Sequence, residues 1–409
     1  MKRWLSLVLA LALLVSMVSL AGCGKKTTEG TPTKTATAQP TATPKAPYKV
    51  GAVLALTGLS SNLGVPEKQT LEMMVADINA KGGINGHPLE VIIYDNETVA
   101  EKAVTLVNRL IEQDKVLAII GPSTTGDSLA VIDAVTTAKM PLVSCAAGIA
   151  IVTPVEQRYW VFKTPQADRE AVTEIYKYMQ AKGITRVALI TNTSGFGAGG
   201  RGFLQSLASS YGMTVVDDQT YSAGDTSMQS QLTHIKGTNA QAVINWDTDQ
   251  QAAIVASDMQ RLQMNIPLYC SHGIANKAFI QNAGSAANGV IFPAGKLLVV
   301  DEVPATDPQK AVLTKYKSDF ETKYGAGTVN TFGGHASDAL NMVVMALQKL
   351  PEGLDVAKAR AQVRDEIEKI KDFVGISGVF TMSPQDHLGM KAGSLAMVKI
   401  VDGKWTWAK

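Results

Sequence analysis

The sequence is short of several things, and each shortage removes a class of function. Three cysteines among 409 residues, with Cys145 and Cys270 in widely separated segments and Cys23 near the start, exclude a disulfide scaffold. The five histidines, at 87, 234, 272, 335 and 387, follow no metal-ligand spacing. No Ser-His-Asp or Cys-His arrangement can be argued from local sequence either, so no metal, cofactor or catalytic residue is expected. Charge of one sign is also lacking, with 38 Lys and Arg against 36 Asp and Glu. The small basic excess belongs to Lys2 and Arg3 and to four lysines between 25 and 47, and the remainder is slightly acidic. Such a balance leaves no electrostatic footprint for nucleic acid.

Long apolar runs are absent except for one. Residues 4–20, WLSLVLALALLVSMVSL, follow the charged Met-Lys-Arg start as the apolar region of an export signal does. Leu20-Ala21-Gly22-Cys23 then resembles a bacterial lipobox, which implies a signal peptide over 1–22 and a lipidated Cys23 as the first mature residue. Residues 23–47, rich in Thr, Pro, Ala and Lys, have almost nothing to bury and read as a disordered tether.

What remains is long enough, at 46% hydrophobic residues overall, for two cores. From Tyr48 onward strand and helix patterns alternate. Strands are expected at 50–56, 89–94, 116–120 and 142–144, with helices at 66–81, 99–113 and 126–139 between them. After 159–163 the alternation restarts, with strands at 186–191, 213–216, 241–246 and 267–270 and helices at 168–182, 200–211, 227–237 and 249–262. The expected fold class is therefore α/β, with two doubly wound parallel-sheet domains. Helices at about 308–324, 332–349 and 355–368 are too many for the second sheet alone, so the chain is expected to return to the first. It should end in a hairpin turning at Asp402-Gly403.

The stretch 116–148 organises the rest. An apolar strand ends at Gly121-Pro122, and Ser123, Thr124 and Thr125 then stand at a helix start, where hydroxyls and unpaired backbone N–H groups favour a carboxylate or phosphate. The same hydroxyls are equally the usual means of capping a helix. A second anion motif fails on inspection. Residues 197–202 match G-x-G-x-x-G, but Asn192–Phe196 separate them from the preceding strand, and a dinucleotide fingerprint needs its first glycine almost directly after it.

Several pieces in order carry a family resemblance: VADINAKGGING at 75–86, Tyr94-Asp95, Ile120-Gly121-Pro122 and Pro141-Leu142-Val143-Ser144. Between about 49 and 404 the chain resembles the leucine/isoleucine/valine-binding proteins, type I periplasmic binding proteins of ABC importers. The resemblance implies a non-enzymatic, monomeric receptor that closes on a small carboxylate ligand and delivers it to ABC permease subunits. It implies three hinge crossovers, near 164–168, 291–295 and 378–383, and hence domain I at 48–164 plus 294–378 and domain II at 168–291 plus 382–409. Because Gly24 is not the Asp that retains lipoproteins at the inner membrane of two-membrane bacteria, the expected location is the outer face of a single cytoplasmic membrane.

Carried over by position, the carboxylate-binding hydroxyl falls on Thr125, with Ser123 and Thr124 in the same turn. Ala146 and Gly148 form the companion turn, where Gly148 offers only backbone and room. Leu63 falls where an aromatic often covers the ligand; Phe196, Trp246, Asp247, Thr248, His272 and Gly273 come from the second domain, and Phe332 walls the hinge side. Each aromatic has ordinary core packing as its alternative. Where amino-acid binders of this type place an acid just before a glycine, this sequence has His272-Gly273. A neutral imidazole supplies no countercharge to an ammonium. The ligand is then either a branched-chain amino acid, with Asp247 or Asp249 as replacement acid, or a keto or aromatic acid. A tethered sensor using the same cleft is the third reading.

Overall fold

A computed structural model describes residues 45–248 and 250–409. The expected signal peptide, Cys23, the tether up to residue 44 and Asp249 lie outside the described residues. The tether's last residues are already attached: Lys45 Nζ donates to Asn85 O at 2.9 Å, and Ala46 O lies 2.7 Å from His87 Nδ1.

Short apolar strands, buried at almost every position except in β2, build the first sheet. Strands β1 (Tyr48–Leu54), β2 (Leu89–Asp95), β3 (Ile119–Ile120), β4 (Leu142–Ser144) and β5 (Val161–Lys163) pair in parallel in the order β2-β1-β3-β4-β5. The connecting helices are α1 (Ser61–Ala80), α2 (Ala100–Glu112), α3 (Thr125–Ala130) and α4 (Ile132–Thr137). In β1, Val50, Ala52 and Leu54 enter one core with Leu71 of α1, whereas Val53 enters another with Val107 and Leu110 of α2. Alternate side chains thus serve opposite faces, as a sheet covered by helices on both sides requires.

The second sheet contains β6 (Arg186–Asn192), β7 (Thr214–Tyr221), β8 (Ala242–Trp246), β9 (Leu268–Cys270) and β10 (Ile291–Gly295). Its helices are α5 (Asp168–Ala181), α6 (Gly195–Ala208), α7 (Gln229–Lys236), α8 (Gln251–Arg261) and α9 (Lys277–Ala283). Then follow α10 (Lys310–Tyr324), α11 (Thr331–Leu347) and α12 (Val356–Glu368), a small antiparallel ribbon of β11 (Phe373–Val374) and β12 (Val379–Phe380), and the hairpin β13 (Leu395–Val401) and β14 (Lys404–Trp407). The second sheet has the order β14-β13-β10-β9-β8-β6-β7, with β13 antiparallel to β10. Asp402 and Gly403, at φ 49° and 71°, make the expected turn.

Leu340 and Val343 of α11 and Val363 of α12 bury in the core of the first sheet, so the chain does return there. Several elements differ from expectation. Regular strand at 116–120 is confined to Ile119–Ile120, although Leu117 N already donates to Lys49 O. The single helix expected over 126–139 is two, divided at Val131, which caps both (φ −90°, ψ −5°). Helix α1 starts five residues before Pro66, whose missing N–H costs one bond near the helix start. Residues 291–295, expected as a crossover, form β10 of the second sheet, and the chain leaves that sheet beyond Gly295.

Helix α6 also starts early, at Gly195, capped by Ser194 Oγ from Gly197 N at 3.2 Å. The glycines of the G-x-G-x-x-G match therefore lie inside a helix. A Cβ on Gly197 would fall 1.8 Å from Asn192 O, and one on Gly200 would fall 2.2 Å from the Trp246 indole. These glycines serve close packing.

Candidate functional site

The turns that follow strands β1, β3, β4, β6, β8 and β9 converge on one cavity of about 290 Å³, joined by the start of α11. This is the position at which open α/β sheets bind ligands, outside the carboxyl ends of their strands. From the first sheet come Leu63, the turn Ser123–Asp127 and Ala146; from the second, Phe196, Thr248, His272 and Gly273; and Phe332 from α11.

The hydroxyls of the 123–125 turn do three different jobs. Ser123 Oγ accepts from Ala55 N at 3.1 Å and donates to the fully buried Glu67, so its polar capacity is spent inside the wall. Burial raises the pKa of the Glu67 carboxyl well above the usual range, with the Ser123 bond opposing. Thr124 caps α3, its Oγ1 accepting from Asp127 N at 3.2 Å. Thr125 Oγ1 accepts from Gly148 N at 3.1 Å. A threonine hydroxyl has one donor and two acceptor sites, so its O–H stays available at the cavity surface, with no acceptor for it among the described residues. The first-turn amides of α3 have no intrahelical acceptor either, although six residues make a short dipole.

Three expected residues stand behind the lining. Gly148 touches the site only through Thr125, and its hydrogen is obligatory, because a Cβ there would lie 2.4 Å from the Thr125 methyl. Trp246 is fully buried and backs Phe196 and His272, at centroid distances of 5.7 and 5.8 Å. Asp247 is turned away: Tyr221, at the end of β7, donates its hydroxyl to Asp247 Oδ2 at 2.6 Å, and Thr248 N donates to Oδ1 at 2.7 Å. A carboxylate held by those donors inside the protein does not reach the cavity lining.

His272 does reach it. Its ring meets Phe196 edge to face at 5.3 Å, and neither ring nitrogen has a partner of normal hydrogen-bond geometry among the described residues. Burial, followed by the positive charge of Lys163, pushes its pKa down to about 3 against a small opposing pull from the Gln166 backbone, so the imidazole is neutral.

Two features were missed in the sequence. His335 lines the cavity one turn after Phe332 on α11, with Nδ1 2.7 Å from Ser377 Oγ. The three-residue spacing was a readable sign of a shared helix face. Lys163, at the end of β5, is fully buried with Nζ 2.5 Å from Pro165 O, and no sequence pattern marks it. Burial lowers its pKa, while Asp168 and other acids oppose. Around it the connecting segments are pinned to α11 and to one another. Thr164 Oγ1 donates to His335 O at 2.9 Å, Gln166 Nε2 to Ser377 O at 2.6 Å, and the Ile376 and Ser377 amides to Asp338 at 2.7 and 2.6 Å.

Across the mouth, Asn62 Nδ2 of α1 donates to Thr248 O at 3.1 Å, a direct bond between a helix of the first sheet and the loop after β8 of the second. Among the described residues no cluster of His, Cys, Asp or Glu suits a metal ion, and no helix is long and apolar enough to cross a membrane.

The chain matches the family model for a periplasmic binding protein over residues 47–404. The Leu/Ile/Val/Thr-binding protein of Salmonella typhimurium is 24% identical over 316 residues, covering 77% of this chain and 81% of its own length. The Leu/Ile/Val-binding protein of Escherichia coli K12 is 23% identical over the same shares. Among solved structures, an extracellular ligand-binding receptor from Rhodopseudomonas palustris HaA2 superposes with a TM-score of 0.82 at 27% identity, covering 89% of this chain and 100% of that one. The branched-chain amino acid transporter substrate-binding protein LivJ of Streptococcus pneumoniae, solved in complex with isoleucine, gives 0.77 at 25% identity, covering 88% and 97%. With two doubly wound sheets meeting at a loop-lined cavity, the chain belongs to the periplasmic binding protein family, an extracytoplasmic solute-binding protein of the type I fold and not an enzyme.

Proposed function

We propose that this protein is the receptor subunit of an ABC importer and captures a small carboxylate-bearing ligand between two lobes, 48–164 plus 294–378 and 168–291 plus 382–409. The observation that carries the reading is Thr125, whose oxygen is fixed by Gly148 N while its O–H is left for the cavity. A carboxylate accepts from such a donor at full strength because water is excluded and the donor is already oriented. The relatives support a ligand of this size: two are named for binding Leu, Ile and Val, and LivJ holds isoleucine.

Ligand contacts on both walls favour the closed arrangement, in which Asn62 meets Thr248, over an open one. The permease then distinguishes loaded from empty receptor by the lobes' relative position. Lipidation at Cys23 and the 23–47 tether hold the monomeric receptor at the outer face of the cytoplasmic membrane. Cys23→Ala should abolish acyl labelling and detergent-phase partitioning; unchanged labelling would remove the anchor from this reading.

Calorimetry with acids drawn from a thermal-shift screen tests the ligand site. Thr125→Ala should weaken binding about 10- to 100-fold, the worth of a hydrogen bond to a charged partner, without lowering the melting temperature appreciably. An unchanged affinity in the folded variant would return Thr125 to a purely structural role.

A further inference from the structure

The polar side chains of the lining are mostly committed. Ser123 serves Glu67, Thr124 and Ser194 cap helices, one nitrogen of His335, Nδ1, pairs with Ser377, and Asp127 Oδ2 accepts from Asn96 Nδ2 at 2.8 Å. His272 differs from all of these. It is 6% exposed and lines the cavity, and apart from the pull of the Gln166 backbone its ring nitrogens lack a partner of normal hydrogen-bond geometry among the described residues. Leaving such groups unsatisfied is costly, and a polar ligand group is the partner the site lacks.

We propose that His272 recognises an uncharged oxygen on the ligand, so that the cavity takes a small carboxylic acid bearing a keto or hydroxyl group and no ammonium. This rests on the carboxylate reading of Thr125 and adds the second polar contact. A neutral imidazole offers one N–H donor and one acceptor; a keto oxygen uses the first, and a hydroxyl uses either. An ammonium would bring a full charge that needs an acid beside it once desolvated. The acid that sequence position suggested, Asp247, is held by Tyr221 and its neighbouring amide. The acid that does line the cavity, Asp127, is engaged by Asn96. Behind the wall stands a lysine: Lys163 depresses both His272 and His335 electrostatically. A cationic group at His272 would therefore face a cation and two imidazoles. Phe196, Phe332 and Leu63 supply the apolar remainder of the wall.

An isosteric series separates the contributions: 4-methyl-2-oxopentanoate, 2-hydroxy-4-methylpentanoate, leucine and 4-methylpentanoate, with the phenyl counterparts phenylpyruvate, phenyllactate, phenylalanine and 3-phenylpropanoate. Calorimetry on the lipid-free chain should give the keto or hydroxy acid an affinity at least about tenfold above the amino acid. His272→Ala should remove the advantage of the keto or hydroxy acid over the unsubstituted acid, about 3- to 10-fold for an uncharged hydrogen bond. His272→Asp should restore binding of the amino acid. Thr125→Ala should weaken every acid alike. His272→Gln, with its melting temperature measured beside the others, guards against a folding defect.

Tightest binding by leucine or phenylalanine in the unaltered protein, or a keto preference that survives His272→Ala, would overturn the proposal. So would a leucine preference abolished by Asp127→Asn, which would assign the countercharge to Asp127. If no acid of either series binds, the carboxylate reading of Thr125 fails instead, and the His272 proposal with it.

Discussion

The two walls of the cavity are made from similar strand ends and do opposite work. On the first-sheet side, small residues and hydroxyls keep backbone close to the cavity, and the Thr125 hydroxyl is held by an amide of the neighbouring turn. On the second-sheet side, Phe196, Trp246 and His272 form an aromatic cluster whose polar atoms, Trp246 Nε1 and both His272 nitrogens, lack partners of normal hydrogen-bond geometry among the described residues. In the proposed reading, one wall provides a directed donor for charge, and the other provides area and a neutral contact. Chemistry at the ends of a doubly wound sheet is set by which neighbours claim each side chain, since the scaffold is common to both.

The sharpest way to break this contrast is Gly148→Ala. The added methyl would lie 2.4 Å from Thr125 Cγ2 and 3.0 Å from Oγ1, so the Thr125 side chain must shift. The expected loss of affinity equals that of Thr125→Ala, about 10- to 100-fold, and calorimetry of both variants checks it. On the opposite wall Tyr221→Phe should change stability and leave affinity alone. It removes the hydroxyl that holds buried Asp247, and the expected cost is about 1–3 kcal/mol by chemical denaturation. A change in ligand preference instead would mean that Asp247 can swing into the cavity.

A third test uses pH. Folded His272 has its pKa pushed to about 3, below the ordinary 6.5, so only the unfolded chain takes up this proton between those values. The stability it contributes is full above pH 6.5 and is lost as pH falls toward 3. His335 behaves likewise, whereas burial of Asp338 raises its pKa to about 7 and makes its term run the other way. The difference between His272→Gln and the unaltered protein isolates the first histidine. It should move in the variant's favour by about 1.4 kcal/mol per pH unit below 6.5, and a flat difference would place His272 in contact with water. The smallest effect is expected for Asn62→Ala, which deletes the bond across the mouth. Ligand dissociation should quicken about 3- to 10-fold in stopped-flow, with little change in association.

Much of this was legible because periodicity reports burial. The alternation of strand and helix gave the fold class, and the Ser-Thr-Thr run after an apolar strand marked a turn that lines the cavity. Within it the sequence could not divide the labour, because Ser123 is claimed by Glu67, a residue far away in the chain that reads as ordinary helix surface. Strand β10 went unread because it carries Pro293 in the interior of a sheet, where proline argues against a strand. Asp247 was a candidate only because Tyr221, two strands away across β6, is invisible from its neighbours.

A crystal structure with the acid of largest thermal shift bound in the cavity tests the central claim most directly. A ligand carboxylate oxygen is expected at about 2.7 Å from Thr125 Oγ1, with Gly148 N still on the same hydroxyl. A carboxylate seated against the His272 wall, with Thr125 touching only Gly148, would contradict it.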